Sequence, residues 1–194
     1  ALTVSGTDYS GEYDGATHGT AATASVTEGT TISYSTDNGS TWSTTHPTIK
    51  NVGTVTVQVK AENDNYDTAT DSYTLKVTPK ELTITAENKT KTYGETATFD
   101  VETPSLDFSV SGLVNDDTVT KITISSTAAA ASTAVGTYTD NIIPSAAQGT
   151  GLGNYTITYE EGKMTVNPAR LTITAADKTK TYGETATFDV ETPS

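Results

Sequence analysis

The sequence predicts an all-β protein: tandem immunoglobulin-like β-sandwich domains in an extended array. Three observations carry this. Threonine makes up 44 of the 194 residues, while methionine and tryptophan occur once each. Apolar and polar residues alternate with period two through most of the chain. One 25-residue stretch occurs twice, 89 positions apart, so whole domains repeat.

Threonine is β-branched, stiff at χ1, and fits the solvated face of a sheet. The alternation is the half-buried strand signal. Val55, Val57 and Val59 alternate with Thr56, Gln58 and Lys60. Tyr73, Leu75 and Val77 alternate with Thr74 and Lys76, and Tyr155, Ile157 and Tyr159 with Thr156 and Thr158. Leu82-Thr83-Ile84, Phe108-Ser109-Val110 and Ile122-Thr123-Ile124 follow the same rule. Asp37-Asn38-Gly39, Gly149-Thr150-Gly151 and Glu161-Gly162 supply turn chemistry between them. Ala128 to Ala131 is the one helix-like stretch; without an amphipathic face it reads as a loop or edge strand.

Residues 81–105 read ELTITAENKTKTYGETATFDVETPS, and residues 170–194 differ only at Arg170, Ala176 and Asp177. A fainter copy lies upstream. Leu2-Thr3-Val4 and Tyr13 match Leu82-Thr83-Ile84 and Tyr93, while Leu75, Val77 and Pro79 match Met164, Val166 and Pro168. Val52-Gly53-Thr54 recurs as Val135-Gly136-Thr137, and Asn65-Tyr66 as Asn154-Tyr155. These matches place domains at 1–80 and 81–169, with 170–194 opening a third. Proline near each joint fixes φ and holds its neighbour extended, which suits stiff connections. The start of a repeat cannot bury a core alone. Residues 170–194 are therefore expected to pair through an edge strand with another chain. The competing phase makes 106–194 the compact unit.

Composition narrows the function classes. Net charge is −13, and Arg170 is the only arginine. Nucleic acid needs a basic stripe to neutralise phosphates, so no nucleic-acid partner is expected. No apolar run reaches membrane-spanning length, so no membrane insertion is expected either, and the charge favours a monomer. The absence of cysteine removes disulfides and thiolate metal sites.

Taken together, Leu82-Thr83-Ile84-Thr85-Ala86, Lys91-Thr92-Tyr93-Gly94, Val110-Ser111-Gly112-Leu113, Val135-Gly136-Thr137-Tyr138, Asn154-Tyr155 and Met164-Thr165-Val166-Asn167-Pro168 resemble the YGX-type MBG repeat. Residues 81–169 carry the full set, and 170–194 a truncated copy. Residues 1–80 are a looser relative, with Tyr13-Asp14-Gly15 in place of Tyr-Gly. The resemblance implies repeats of a long bacterial surface adhesin, outside the cell at the cell wall, without enzymatic activity.

Several motifs bear on chemistry. Ser35-Thr36-Asp37-Asn38-Gly39-Ser40-Thr41-Trp42 fits the Asp-box, a hairpin in which Asp37 bonds the turn backbone, Gly39 accepts positive φ and Trp42 packs beneath. A sialidase would need arginines to clamp a carboxylate, and residues 1–80 have none. Trp42 and Tyr34 are the candidate ligand-binding residues, since aromatic faces stack on sugars; a core role for Trp42 is the competing reading. His18 and His46 lack the further ligands of a closed metal site and the motifs of a nucleophile, so no catalytic residue is assigned. The acidic stretches 62–67 and 115–117 offer oxygen ligands of the kind calcium takes, without the EF-hand pattern; otherwise they are solvated loops, and no other cofactor is expected. A Lys163 cross-link to Asn154 or Asn167 would need a buried lysine, whereas the alternation turns most lysines outward.

Three functions remain. The first is a stalk that projects a distal binding region. The second is an adhesion module contacting host glycan or mucin. The third is an accessory module of a secreted carbohydrate-active enzyme.

Overall fold

The computed structural model describes residues 1–188 and is an all-β sandwich. The end of the expected third copy, residues 189–194, lies outside the described residues. The strands form two sets that do not share a sheet. The first set is β1 (Val4–Ser5), β2 (Tyr9–Glu12), β3 (Thr23–Ala24), β4 (Thr31–Ser35), β5 (Gly53–Asn63) and β6 (Tyr66–Thr78). The second is β7 (Lys80–Ala86), β8 (Lys89–Thr92), β9 (Phe108–Ser111), β10 (Thr118–Ser125), β11 (Gly136–Thr150), β12 (Tyr155–Glu160) and β13 (Gly162–Asn167). We call them the first and second units; only Pro79 stands between β6 and β7.

In the first unit, β1 pairs with β3 and faces a sheet of order β2-β6-β5-β4. In the second, a sheet of order β12-β7-β9 faces one of order β10-β11-β13-β8. Both units use the same registers. β2 lies parallel to the end of β6, with Tyr9 opposite Leu75 and Glu12 opposite Thr78. β8 lies parallel to β13, with Lys89 opposite Met164 and Thr92 opposite Asn167. The sequence offsets of 80 and 89 convert one pairing into the other. Likewise Gly53 faces Val77 and Gly136 faces Val166.

The alternating residues supply the core. Val57, Val59, Leu75, Leu82, Ile84, Ile122, Ile142, Met164 and Val166 are fully or almost fully buried, and each contributes about 1.5–3 kcal/mol of hydrophobic stabilisation. The main cluster runs without a break from Leu75 and Val77 of the first unit to Leu82, Val119 and Tyr155 of the second.

One local expectation needs correction. Glu161-Gly162 is not a turn. It is where the chain leaves the β7 sheet as β12 and enters the β8 sheet as β13. Gly162 is needed there because a Cβ would lie 2.7 Å from the Glu87 carbonyl oxygen and 2.8 Å from that of Ala86. The alanine stretch is not an edge strand but a loop that opens with a short 3-10 turn. Thr127–Ala129 forms a 3-10 turn that buries Ala128 under Ala86, Ile142, Met164 and Val166.

β12 and β13 take their parallel partners from β7 and β8, residues 80–92, so a compact 106–194 unit is not what forms. The described part of the third copy, 170–188, contains no strand, and Leu171, Ile173 and Tyr182 are exposed.

Candidate functional site

The densest set of polar contacts between distant parts of the chain lies where the units meet. It begins at the end of β2. The Tyr13 amide donates to the Thr78 carbonyl at 2.9 Å, which fixes the residue beside the joint. The Tyr13 hydroxyl donates to Asp117 Oδ2 at 2.9 Å, across the joint. The Tyr155 hydroxyl donates to the same oxygen at 2.8 Å and accepts from the Val114 amide at 3.0 Å. The two rings meet edge to face with centroids 5.5 Å apart, a geometry that brings the positive ring edge to the negative face. Both are buried, Tyr13 at 3% exposure and Tyr155 at 8%.

A second bridge runs beside the first. Asn154 Oδ1 accepts from the Val52 amide at 2.9 Å, so a side chain at the start of β12 caps the backbone of the preceding unit. Gly15, at φ +77°, lets the chain pass Asn115: a Cβ there would lie 2.6 Å from that of Asn115. At the rim, Lys80 Nζ lies 2.7 Å from Glu12 Oε1, an exposed pair of small energetic weight.

Electrostatics follow from this arrangement. Burial first, then the hydrogen bond and charge of Asp117, push the Tyr155 phenol up to about 12, against the pull of the Val114 amide. Tyr13 is raised for the same two reasons, burial foremost. Both hydroxyls therefore stay protonated and donate at neutral pH.

The acidic stretches land differently. Asn115 and Asp116 form an exposed turn, while Asp117 beside them is half-buried in the joint with its Oδ2 taken by two tyrosines. Residues 62–67 form a tight hairpin between β5 and β6, in which Asn63 bonds the Glu28 carbonyl and Thr30 Oγ1. Among the described residues, no three His, Asp or Glu side chains converge as a metal would require.

The Asp-box region has the expected hairpin form. Asp37 accepts from the Thr41 amide, the Thr41 hydroxyl and the Ser35 hydroxyl at 2.9, 2.6 and 2.7 Å. Those bonds, Thr41 foremost, hold its carboxyl down at about 2. Asn38 and Gly39 both have positive φ, 59° and 83°. Trp42 Nε1 donates to the Gly39 carbonyl, and Lys60 Nζ lies 4.9 Å from the Trp42 ring centroid. Trp42 is thus a staple on the turn with a partly open face, 38% exposed, rather than a core residue. Tyr34 is turned inward at 4% exposure, and its hydroxyl accepts from the Ala22 amide. Only Trp42 of the two candidate ligand residues presents its ring to solvent. His18 is held by Asp14 and stacked on Tyr9, whereas His46 packs edge-on to Tyr34.

Sequence reasoning missed Lys91. Its side chain is buried, and Nζ donates to the carbonyls of Glu95, Ala129 and Ala130. It ties the turn Thr92-Tyr93-Gly94-Glu95 to the alanine stretch. Gly94 and Ala97 also donate there, to Ala131 and Ala129. Gly94 has φ +92° and the Glu95 amide returns to the Thr92 carbonyl, as a type II turn demands. Lys163 is exposed, so it lacks the burial a cross-link to Asn154 or Asn167 would need, and Asn154 is engaged with Val52.

Two all-β units meet end to end, and among the described residues no helix is long and apolar enough to cross a membrane. Residues 82–165 match the profile of the MBG domain (YGX type), and the second unit is a member of that family. MBG domains are non-catalytic and are found in bacterial surface proteins. No curated protein matches the chain.

Proposed function

We propose that the chain is a stiff stalk segment of a bacterial surface adhesin, holding a distal binding region away from the cell wall. The observation that carries this reading is the joint. A single proline separates β6 from β7, and Tyr13, Asp117, Tyr155 and Asn154 close a buried, hydrogen-bonded contact beside it. A flexible tether would need a solvated, glycine- or serine-rich linker instead. Backbone 15N relaxation of the full chain tests the reading. Stiff coupling gives both units one rotational correlation time. Separate, shorter times would sink it.

A second reading, contact with a host glycan or mucin, is favoured by the open face of Trp42 beside Gln58, Asp71 and Ser72. An aromatic ring next to polar side chains suits the apolar face and hydroxyls of a sugar. Lys60 over the ring competes with such stacking. Binding of the full chain to a glycan array and immobilised mucin, lost in Trp42→Ala, would support it. Equal binding by both proteins would remove Trp42 from the site.

A further inference from the structure

The second unit carries a copy of the joint face at its opposite end, and none of the described residues covers it. Tyr93 is the counterpart of Tyr13. Its amide donates to the Asn167 carbonyl at 2.8 Å, as that of Tyr13 donates to Thr78 at 2.9 Å. The parallel registers that end in these residues are the same. Val135 is the counterpart of Val52 and precedes a strand pairing of the same register, Gly136 with Val166. Tyr93 and Val135 therefore occupy the end of the second unit as Tyr13 and Val52 occupy the end of the first. Yet Tyr13 is 3% exposed, whereas Tyr93 is 48% and Val135 52% exposed.

We propose that Tyr93 and Val135 form a docking face for a following MBG unit, whose counterparts of Asp117, Tyr155 and Asn154 would cover it. The occupant is set by the chain itself. After Pro168 and Ala169, residues 170–188 repeat 81–99 with three substitutions, so the next copy starts beside this face. Its first turn is already formed: the Glu184 amide returns to the Thr181 carbonyl, Glu184 Oε2 accepts from the Thr181 amide, and Lys180 Nζ reaches the Glu184 carbonyl. Those bonds reproduce the arrangement at Lys91, Thr92 and Glu95. The copy of the joint has three differences. Thr92 and Ala169 replace the Glu12–Lys80 pair, Gly94 stands where Asp14 does, and Glu95 stands where Gly15 does. The tyrosine keeps its position, while the close approach at Gly15 is not kept.

The proposal rests on the stalk reading, and its test separates the two. The full chain is extended after Ser194 by a copy of residues 106–169, completing the third unit. Tyrosine nitration is followed by peptide mass spectrometry in both proteins. Docking worth a single factor of ten in protection slows nitration of Tyr93 about tenfold in the extended chain, towards the rate of Tyr13. Alanine at the added counterpart of Asp117 restores the fast rate. An unchanged Tyr93 rate in a folded extended chain overturns the proposal. Fast nitration of Tyr13 in either protein overturns the stalk reading instead. A second variant stands independent of whether the third unit folds: Glu12→Thr, Asp14→Gly, Gly15→Glu and Lys80→Ala give the first unit the end of the second. Continued protection of Tyr13 shows that this face docks an MBG unit. Loss of that protection, with the fold intact by circular dichroism, refutes it.

Discussion

Removing the Tyr13 hydroxyl isolates a side-chain hydrogen bond that links the units through the charge of Asp117. Its acceptor, Asp117 Oδ2, lies 2.9 Å away and is shared with Tyr155. A hydrogen bond to a charged group contributes about 1.5–3 kcal/mol. Asp117 is only half-buried, so water replaces part of what is lost, and the lower end, about 1.5 kcal/mol, applies. Tyr13→Phe keeps the edge-to-face ring contact and deletes only the donor. Asp117→Ala deletes the acceptor for both tyrosines and costs more. The double variant isolates the coupling between Tyr13 and Asp117. The assay is urea unfolding followed at Trp42, the only tryptophan, which lies in the first unit. With a slope of about 1 kcal/mol per molar urea, Tyr13→Phe lowers the midpoint of the first unit by about 1.5 M. In the Asp117→Ala background the same substitution changes it little. A coupling energy below about 0.3 kcal/mol, the scatter of independent sites, would refute the claim that this bond joins the units.

Other perturbations have equally definite outcomes. Lys91→Met keeps the aliphatic stem but removes the buried donor shared by three carbonyls, of which Ala129 and Ala130 keep the amides of Ala97 and Thr133, and lowers the stability of the second unit by about 1–3 kcal/mol, read as a lowered melting temperature. High pH opens the joint. The folded phenols of Tyr13 and Tyr155 are raised above the ordinary 10, so their contribution is complete below about pH 10 and is lost as pH rises further, towards 12 for Tyr155; amide exchange near Val52 and Val114 should accelerate above pH 10. Low pH acts on the Asp-box instead. The Asp37 carboxyl, held at about 2, contributes fully above its ordinary value of 3.8 and loses its effect as pH falls through 2, so the hairpin amide of Thr41 should lose protection there.

What the sequence could show divides along the range of the interactions. Strand-forming alternation is local, and Val57, Val59, Leu75, Leu82 and Ile84 are buried as their period requires. The Tyr-Gly turn is also local. It forms at Thr181 to Glu184, where no strand pairs with it, as it does at Thr92 to Glu95. Lys91 escaped because lysine in an alternating strand is ordinarily a solvated residue. Its inward direction makes sense only once Ala129 and Ala130, some 40 positions on, are seen to offer their carbonyls. The inward turn of Tyr34 is hidden for the same reason: an aromatic next to a turn motif looks available until its strand pairing with Val59 is seen. Asp117 was the hardest. Beside Asn115 and Asp116 it reads as one more solvated acid, and its partners lie 104 and 38 positions away. Yet a signal was present. Tyr13 and Tyr93 recur at a fixed offset, as do Asn65-Tyr66 and Asn154-Tyr155, although neither tyrosine of the first pair is needed to continue the strand alternation. A residue repeated without a role inside its own unit points to the contact between units. At the first joint Tyr13 meets Tyr155 there, and Tyr93 remains exposed at the end where the next copy begins.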